Sequence, residues 1–408
     1  MAENNIGTEA VNDDASFVND RGSRTQQYLR VLLLGVSAFV FNTTEFVPVG
    51  LLTDIAKDFA VSTAQAGWML TIYAWIVAGL SLPLMMLTKN MERKKLLIFL
   101  FLLFIGSHML SVFAWSFEIL VLSRTGIAVA HAIFWSITAS IAIRVGPPGK
   151  KTFALGVLAT GTSMAMVLGV PVGRMVGQLF GWRATFGLIA AAALVVMISL
   201  YRLLPPLPVL FTGTFKKVPE LLKTPMLWSL YLITFMAFTS HYTMYSYIEP
   251  YLEQVAHVNA HFTTFLLLLF GCAGIIGSVT FGYLGEKLGT ALMVTALVLL
   301  IITIGIQPWL VGSKVFIAAN VVFWGIAMTV LILTCQSKVM SVDANSADII
   351  ISMFSGIINL GIGAGALVGG HAISLVTMPH LGYVGSGLAA LSLLTLLYFM
   401  RKIPELRR

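Results

Sequence analysis

Charge is what this sequence has least of. Only 10% of its 408 residues are Asp, Glu, Lys or Arg, against 58% hydrophobic, where a soluble domain carries about 25% charged residues. So little charge cannot cover a water-facing globule, and a polytopic membrane protein is the class that remains. Cysteine is nearly absent as well. Cys272 and Cys335 fall in separate apolar runs at different depths, so neither a disulfide nor a metal cluster is expected. No G-x-x-x-x-G-K-[ST] loop is present to power an ATP-driven pump, and no H-E-x-x-H spacing. With no soluble domain after the apolar runs, an enzyme is not expected, and no cofactor is implied. The first 25 residues, MAENNIGTEAVNDDASFVNDRGSRT, lack the basic-then-apolar order of a cleavable signal. They read as a polar tail without an assigned role.

What is present is long apolar runs. Twelve occur, at 28–52, 66–88, 95–115, 118–144, 152–178, 183–204, 226–249, 262–284, 289–309, 314–338, 346–376 and 381–400, each near the roughly 20 residues that a bilayer core requires. They are continuous rather than alternating, so helices rather than barrel strands cross the lipid. The expected fold class is all-α, with twelve transmembrane helices in two pseudo-symmetric six-helix halves. The expected organisation is a polar tail at 1–27, a first bundle at 28–204, a Pro-, Gly- and Lys-bearing linker at 205–225, a second bundle at 226–401 and a basic tail at 402–408. The net charge of +8 is a topology signal, not a nucleic-acid site. With the termini inside, 20 of the 25 Lys and Arg lie on inside segments and only Lys57, Arg174, Arg183 and Lys314 outside. That bias places both termini in the cytoplasm.

Six plus six helices with both ends inside is the layout of rocking transporters, whose solute site lies between the halves near the midplane. The loop GYLGEKLG (Gly282, Glu286, Lys287, Gly289) resembles the G-x-L-x-D/E-R/K-x-G loop of the major facilitator superfamily. Its glycines would permit tight helix ends, and Glu286 and Lys287 would latch one conformation. The first-half counterpart, MMLTKNMERKK, keeps only the basic run Arg93–Lys95. GWRATF at 181–186 is a further family-like feature. In the fifth run Gly161, Ala165, Gly169, Gly173 and Gly177 recur every fourth residue around Pro171. They form a small-residue face that another helix can approach, as packing alone or with a role in gating; the pattern resembles the glycine/proline motif of proton-driven antiporters. NTTEFVPVGLL, YAWIVAGLSLP and HAIFWSITAS are similar to segments of bacterial sugar efflux transporters, in the twelve-helix drug/proton antiporter branch. The resemblance implies an inner-membrane protein, expected to act as a monomer, that exchanges protons for a sugar of arabinose or galactoside type.

Glu45 is the residue the composition makes conspicuous. It follows Asn42, Thr43 and Thr44 inside an apolar run, at a depth similar to that of Arg124 in the fourth run. Intramembrane ionisable groups usually face the interior and pair. The resemblance links an arginine at the Arg124 position to proton coupling, so Glu45 is expected to carry the proton and Arg124 to tune it. A fixed pair that merely staples two helices is the other reading. His131 lies two turns beyond Arg124 on a similar face, with Trp135 one turn deeper; it is a candidate relay, a solute contact or a packing residue. His108 and His371 lack such company and read as packing. A neutral sugar calls for hydrogen-bonding groups and flat aromatic faces, supplied by Asn42, His131, Trp135, His241, Tyr245, Trp324 and Asn359. Tyr247 and Tyr251 fit an interfacial belt better. Glu249 is expected to reach water at the outer end of its span, and Pro48 and Pro250 mark flex points or static kinks. The rival functions are efflux of a cationic or amphipathic drug, proton-driven sugar import and a channel.

Overall fold

The computed structural model describes residues 22–209, 221, 223–343 and 347–407. Residues 1–21 of the expected tail, 210–220 and 222 of the linker, 344–346 up to the first residue of the eleventh run, Arg408 and the side chains of Glu286, Ala347 and Asp348 lie outside the described residues.

Among the described residues the chain has no strand. Its helices are α1 (Arg24–Asp58, with an internal 3-10 turn), α2 (Thr63–Leu87), α3 (Arg93–Val112), α4 (Phe117–Val145), α5 (Lys151–Phe180) and α6 (Trp182–Leu203). The second set is α7 (Pro225–Tyr245), α8 (Ala260–Leu288), α9 (Thr290–Gly305), α10 (Lys314–Met340), α11 (Ala347–Val376) and α12 (Leu381–Lys402). Every apolar run of the sequence coincides with one of them. By length and hydropathy ten could cross a membrane. The other two are α9, a shorter apolar helix, and α7, whose Ser, Thr, His and Tyr dilute its hydropathy.

Local chemistry sets the ends. Ser23 with Gln26 and Ser62 with Gln65 form capping boxes at the starts of α1 and α2, and Ser116, Asn259 and Ser313 cap α4, α8 and α10. Gly181 (φ +86°) and Gly289 (φ +49°) turn the chain out of α5 and α8 in a conformation that favours glycine. Gly282 does not act as expected: it lies inside α8, seven residues before the helix ends at Gly289, with open space where a Cβ would sit. Lys287 is exposed, and no ion pair of the described residues involves it. The prolines mark irregular turns, as a missing N–H requires. Pro48 sits in the 3-10 turn Val47–Leu51, Pro171 follows the π turn Ala165–Gly169, and Pro250 precedes the π turn Tyr251–Val255.

The packing repeats. In the first six helices α1 packs on α5 and α6, α2 on α4, and α3 on α4 and α6; in the second six α7 packs on α11 and α12, α8 on α10, and α9 on α10 and α12. Each contact recurs six helices later, so the two sets are pseudo-symmetric. Between them α2 runs along α11 and α5 against α8, another exchange-related pair. On the termini side, Arg30 Nε, Lys94 Nζ and Arg144 Nη2 donate to the carbonyls of Leu203, Leu204 and Pro208 at 2.7, 2.5 and 2.9 Å, while Glu92 accepts from the Leu207 amide at 2.5 Å. These basic residues thus grip the backbone that follows α6.

The glycine face of α5 meets α1. A Cβ on Gly161 would stand 2.1 Å from the Gly35 carbonyl oxygen, and one on Gly169 2.3 Å from Thr43 Oγ1; on Gly173 and Gly177 it would stand 2.6 and 2.4 Å from the Val47 and Leu51 side chains. Gly161→Val must therefore part α1 from α5 against a rigid backbone. A melting temperature lowered by at least 5 °C in detergent is expected, with Gly156→Val, where nothing lies within 4 Å of a Cβ, within about 2 °C of the wild type. Equal shifts would mean that the contact is not limiting.

Candidate functional site

The stretch Asn42–Glu45 divides its tasks. Thr44 anchors α1 twice: its Oγ1 bonds His108 Nε2 on α3 at 2.7 Å, and its carbonyl accepts from Arg124 Nη1 on α4 at 2.7 Å. His108 is completed by the Phe104 carbonyl at 2.9 Å, a packing environment. Thr43 lies against Gly169, and Asn42 is buried. Glu45 is left facing the seam between the two six-helix sets. There it lines a narrow cavity with Phe46, Leu70 and Tyr73 from the first set and Tyr242, Ser246 and Ile362 from the second.

The expected direct pair of Glu45 with Arg124 does not form. Among the described residues the only charged-type contact of Glu45 is His131, with Nε2 3.5 Å from Oε2. Arg124 is fully buried, donates to the Thr44 carbonyl, and lies with Cζ 4.2 Å from the centre of the Tyr73 ring. Among the described residues its Nε and Nη2 have no hydrogen-bond partner. A carbonyl and an aromatic face hold this cation, and matched depth alone could not choose them over a carboxylate. His131 is the centre of the group instead. Trp135 Nε1 donates to its Nε2 at 2.8 Å, and Tyr73 Oη lies 2.8 Å from its Nδ1.

The second set carries a ring cluster. His241 stacks on Tyr245 with centroids 4.9 Å apart, and Trp324 Nε1 donates to His241 Nδ1 at 3.1 Å. Phe270 closes the cluster, and Tyr242 meets the His241 ring edge-on at 4.8 Å. Tyr242 is therefore the ring that joins this cluster to the Glu45 cavity. Trp324 is fully buried, its N–H already taken. Asn359 stands apart from the cluster; its Nδ2 donates to the Ser355 carbonyl at 3.0 Å, while its buried Oδ1 has no partner among the described residues. Trp324 and Asn359 are thus not brought to Glu45. Tyr73, Tyr242 and Ser246 are, although sequence reasoning did not select them as site residues. For the tyrosines the available signal was a hydroxyl-bearing ring in an apolar run; for Ser246 there was none.

A second charged group joins the two sets at the ends away from the termini. Arg174, placed by sequence on an outside segment, is 1% exposed, as is Glu249, which was expected to reach water. Arg174 Nη1 lies 3.2 Å from Glu249 Oε1 and also donates to the Gly50 carbonyl; Nη2 bonds Glu253, and Nε donates to Thr264 Oγ1 at 3.2 Å. Glu249 Oε2 accepts from the Thr53 amide and hydroxyl at 3.1 and 2.8 Å. Tyr247 and Tyr251 are buried rather than interfacial, and Tyr247 Oη donates to the Ala366 carbonyl at 2.8 Å. They could not be told from a belt by position, because the ends of α1, α5 and α7 fold over one another. Two further side chains bond across the seam: Thr71 Oγ1 donates to the Gly363 carbonyl at 3.2 Å and Trp75 Nε1 to the Leu360 carbonyl at 3.4 Å. These crossing bonds lie between the midplane and the end opposite the termini. His371 is exposed beside Trp68 at that same end.

A family model described as Major Facilitator Superfamily matches residues 34–349. The fold is similar to that of a bacterial homologue of the human lysosomal transporter Spinster, in an inward-facing and unoccupied conformation, at a TM-score of 0.71 and 18% identity over 92% of this chain and 99% of that one. It is also similar to a point mutant of the peptide transporter POT in complex with alafosfalin, at 0.71 and 14% over 91% and 94%. The human organic anion transporter MFSD10 (TETRAN) matches at 0.64 and 15% over 92% and 100%.

Proposed function

We propose, for a chain that belongs to the major facilitator superfamily and is a membrane transporter rather than an enzyme, that it exports a sugar or sugar analogue in exchange for an inward-moving proton. The observation that carries this reading is the position of Glu45: a carboxylate on the seam between two pseudo-symmetric helix sets, beside an imidazole and within reach of both sets. With the termini in the cytoplasm of a bacterial cell, the bonded ends are the outer ends, and the state described is closed to the outside. Parting of those ends would hydrate Glu45 and let it take a proton; rocking to the closed state would release that proton inward and admit the solute. Exchange of one proton for a neutral sugar moves one charge, so the membrane potential contributes about 2.3 kcal/mol per 100 mV. Residues 28–204 and 226–401 would be the two moving bodies. The fold is shared with a peptide transporter and an organic anion transporter, so it leaves the solute to the site. The hydroxyls and rings of Tyr73, Tyr242, Ser246 and Tyr245, and the likeness to sugar efflux proteins, favour a neutral polyhydroxy solute.

The test loads proteoliposomes with radiolabelled arabinose, a galactoside analogue or a cationic dye, with a proton gradient imposed or collapsed. Sugar release at least fivefold faster with the gradient is expected. Release of the dye alone would replace the sugar reading with drug efflux, and release indifferent to the gradient would indicate a channel.

A further inference from the structure

His131 has one proton to place, and two side chains, Tyr73 and Trp135, bond its ring nitrogens. The indole N–H of Trp135 can only donate, so Nε2, 2.8 Å away, is an acceptor. A neutral imidazole carries its proton on the other nitrogen, and Nδ1 therefore donates to Tyr73 Oη at 2.8 Å. That leaves Nε2, its one lone pair taken by the indole, 3.5 Å from Glu45 Oε2. A proton passed from Glu45 to Nε2 would make Nε2–H a donor to the carboxylate, and two donors cannot share that nitrogen. The Trp135 N–H would have to leave.

We propose that Trp135 is a positioning residue for proton exchange, its indole locking His131 in the proton-free form that faces Glu45. This rests on the coupling role proposed for Glu45. Other titratable or charged groups facing the pair are Arg124 on α4 and Tyr73 on α2, with Tyr242 across the cavity on α7; His108 on α3 reaches it through Thr44. None of these donates to Nε2 among the described residues, so the lock is Trp135 alone. A hydrogen bond to the proton-free form disfavours protonation; its removal strengthens proton binding. Trp135 is partly buried rather than sealed in the core.

The experiment follows gradient-driven sugar export from proteoliposomes against pH for the wild type and Trp135→Phe. The midpoint of the profile is expected to move up by about one pH unit, tenfold in proton affinity and so about 1.36 kcal/mol. Alongside, wild-type minus Trp135→Phe tryptophan fluorescence is recorded in detergent from pH 5 to 9. A step in that difference at the transport midpoint, missing when both proteins carry His131→Gln, is expected. A rate lowered by one factor at every pH with an unmoved midpoint, or a fluorescence step that survives His131→Gln, would overturn the lock. Should Trp135→Phe not fold, the fluorescence step of the wild type compared directly with His131→Gln decides. If Glu45→Gln still concentrates sugar while Trp135→Phe moves the midpoint, the role of Glu45 falls and the lock on His131 stands. If Glu45→Gln abolishes coupling and Trp135→Phe changes nothing, the lock alone falls.

Discussion

Glu45→Gln is expected to abolish uphill export and leave downhill exchange of sugar running. Gln keeps the size and hydrogen-bonding capacity of the side chain and removes only its proton chemistry. A coupled carrier facing a gradient of one pH unit can sustain a tenfold sugar gradient per proton; the variant should sustain none. Its thermal stability should change little, because Glu45 is not ion-paired with Arg124 and its imidazole neighbour is neutral. Had Glu45 been a staple, loss of one partner from a buried pair would cost about 3–5 kcal/mol. Paired assays of counterflow and of gradient-driven accumulation, with a melting curve, separate the outcomes. Accumulation at the wild-type level would remove Glu45 from the coupling mechanism and move attention to His131.

Arg174→Met should do the reverse, sparing the proton site and releasing the outer ends. The guanidinium meets Glu249 and Glu253 from the turns that follow α7, the Gly50 carbonyl from α1 and Thr264 from α8. Without it Glu249, itself 1% exposed, retains only the two bonds from Thr53. Leaving such a carboxylate unpaired costs about 3–5 kcal/mol. If the outward-open state hydrates both groups, the cost falls on the closed state alone, a shift of about two to four orders of magnitude in the equilibrium. A cysteine in place of Val49, which is 2% exposed beside this network, reports the change in a background with Cys272 and Cys335 replaced by serine. Labelling by a membrane-impermeant maleimide should be at least tenfold faster with Arg174→Met. Arg174→Lys should fall between, since an ammonium lacks the planar fork that reaches several acceptors. Unchanged labelling would show that the network does not hold the outer ends.

Apolar runs sufficed to place twelve helices, ten of them long and apolar enough to cross a membrane, because a bilayer demands about 20 apolar residues and intrahelical hydrogen bonds whatever lies beside them. Capping serines and the φ-positive glycines set the helix ends by local chemistry, equally open to reading. The glycine face of α5 was legible too, since a four-residue spacing defines a surface without naming what covers it; the fold supplied α1. Glu45, Arg124 and His131 stood out because ionisable groups are costly in lipid. Which of them touch was another matter. Depth along a helix is encoded in residue count, whereas azimuth and tilt depend on every neighbouring side chain. So Arg124 took a carbonyl and the Tyr73 ring, Glu45 turned to His131, and Arg174 and Glu249, read as solvent-facing, became partners under the folded-over ends of α1, α5 and α7. The sequence by itself determined how many times the chain can cross and which residues are too polar to be idle. Only the tertiary structure decided who pairs with whom, because pairing is a property of distances between helices, and those arise from packing rather than from any one run of residues.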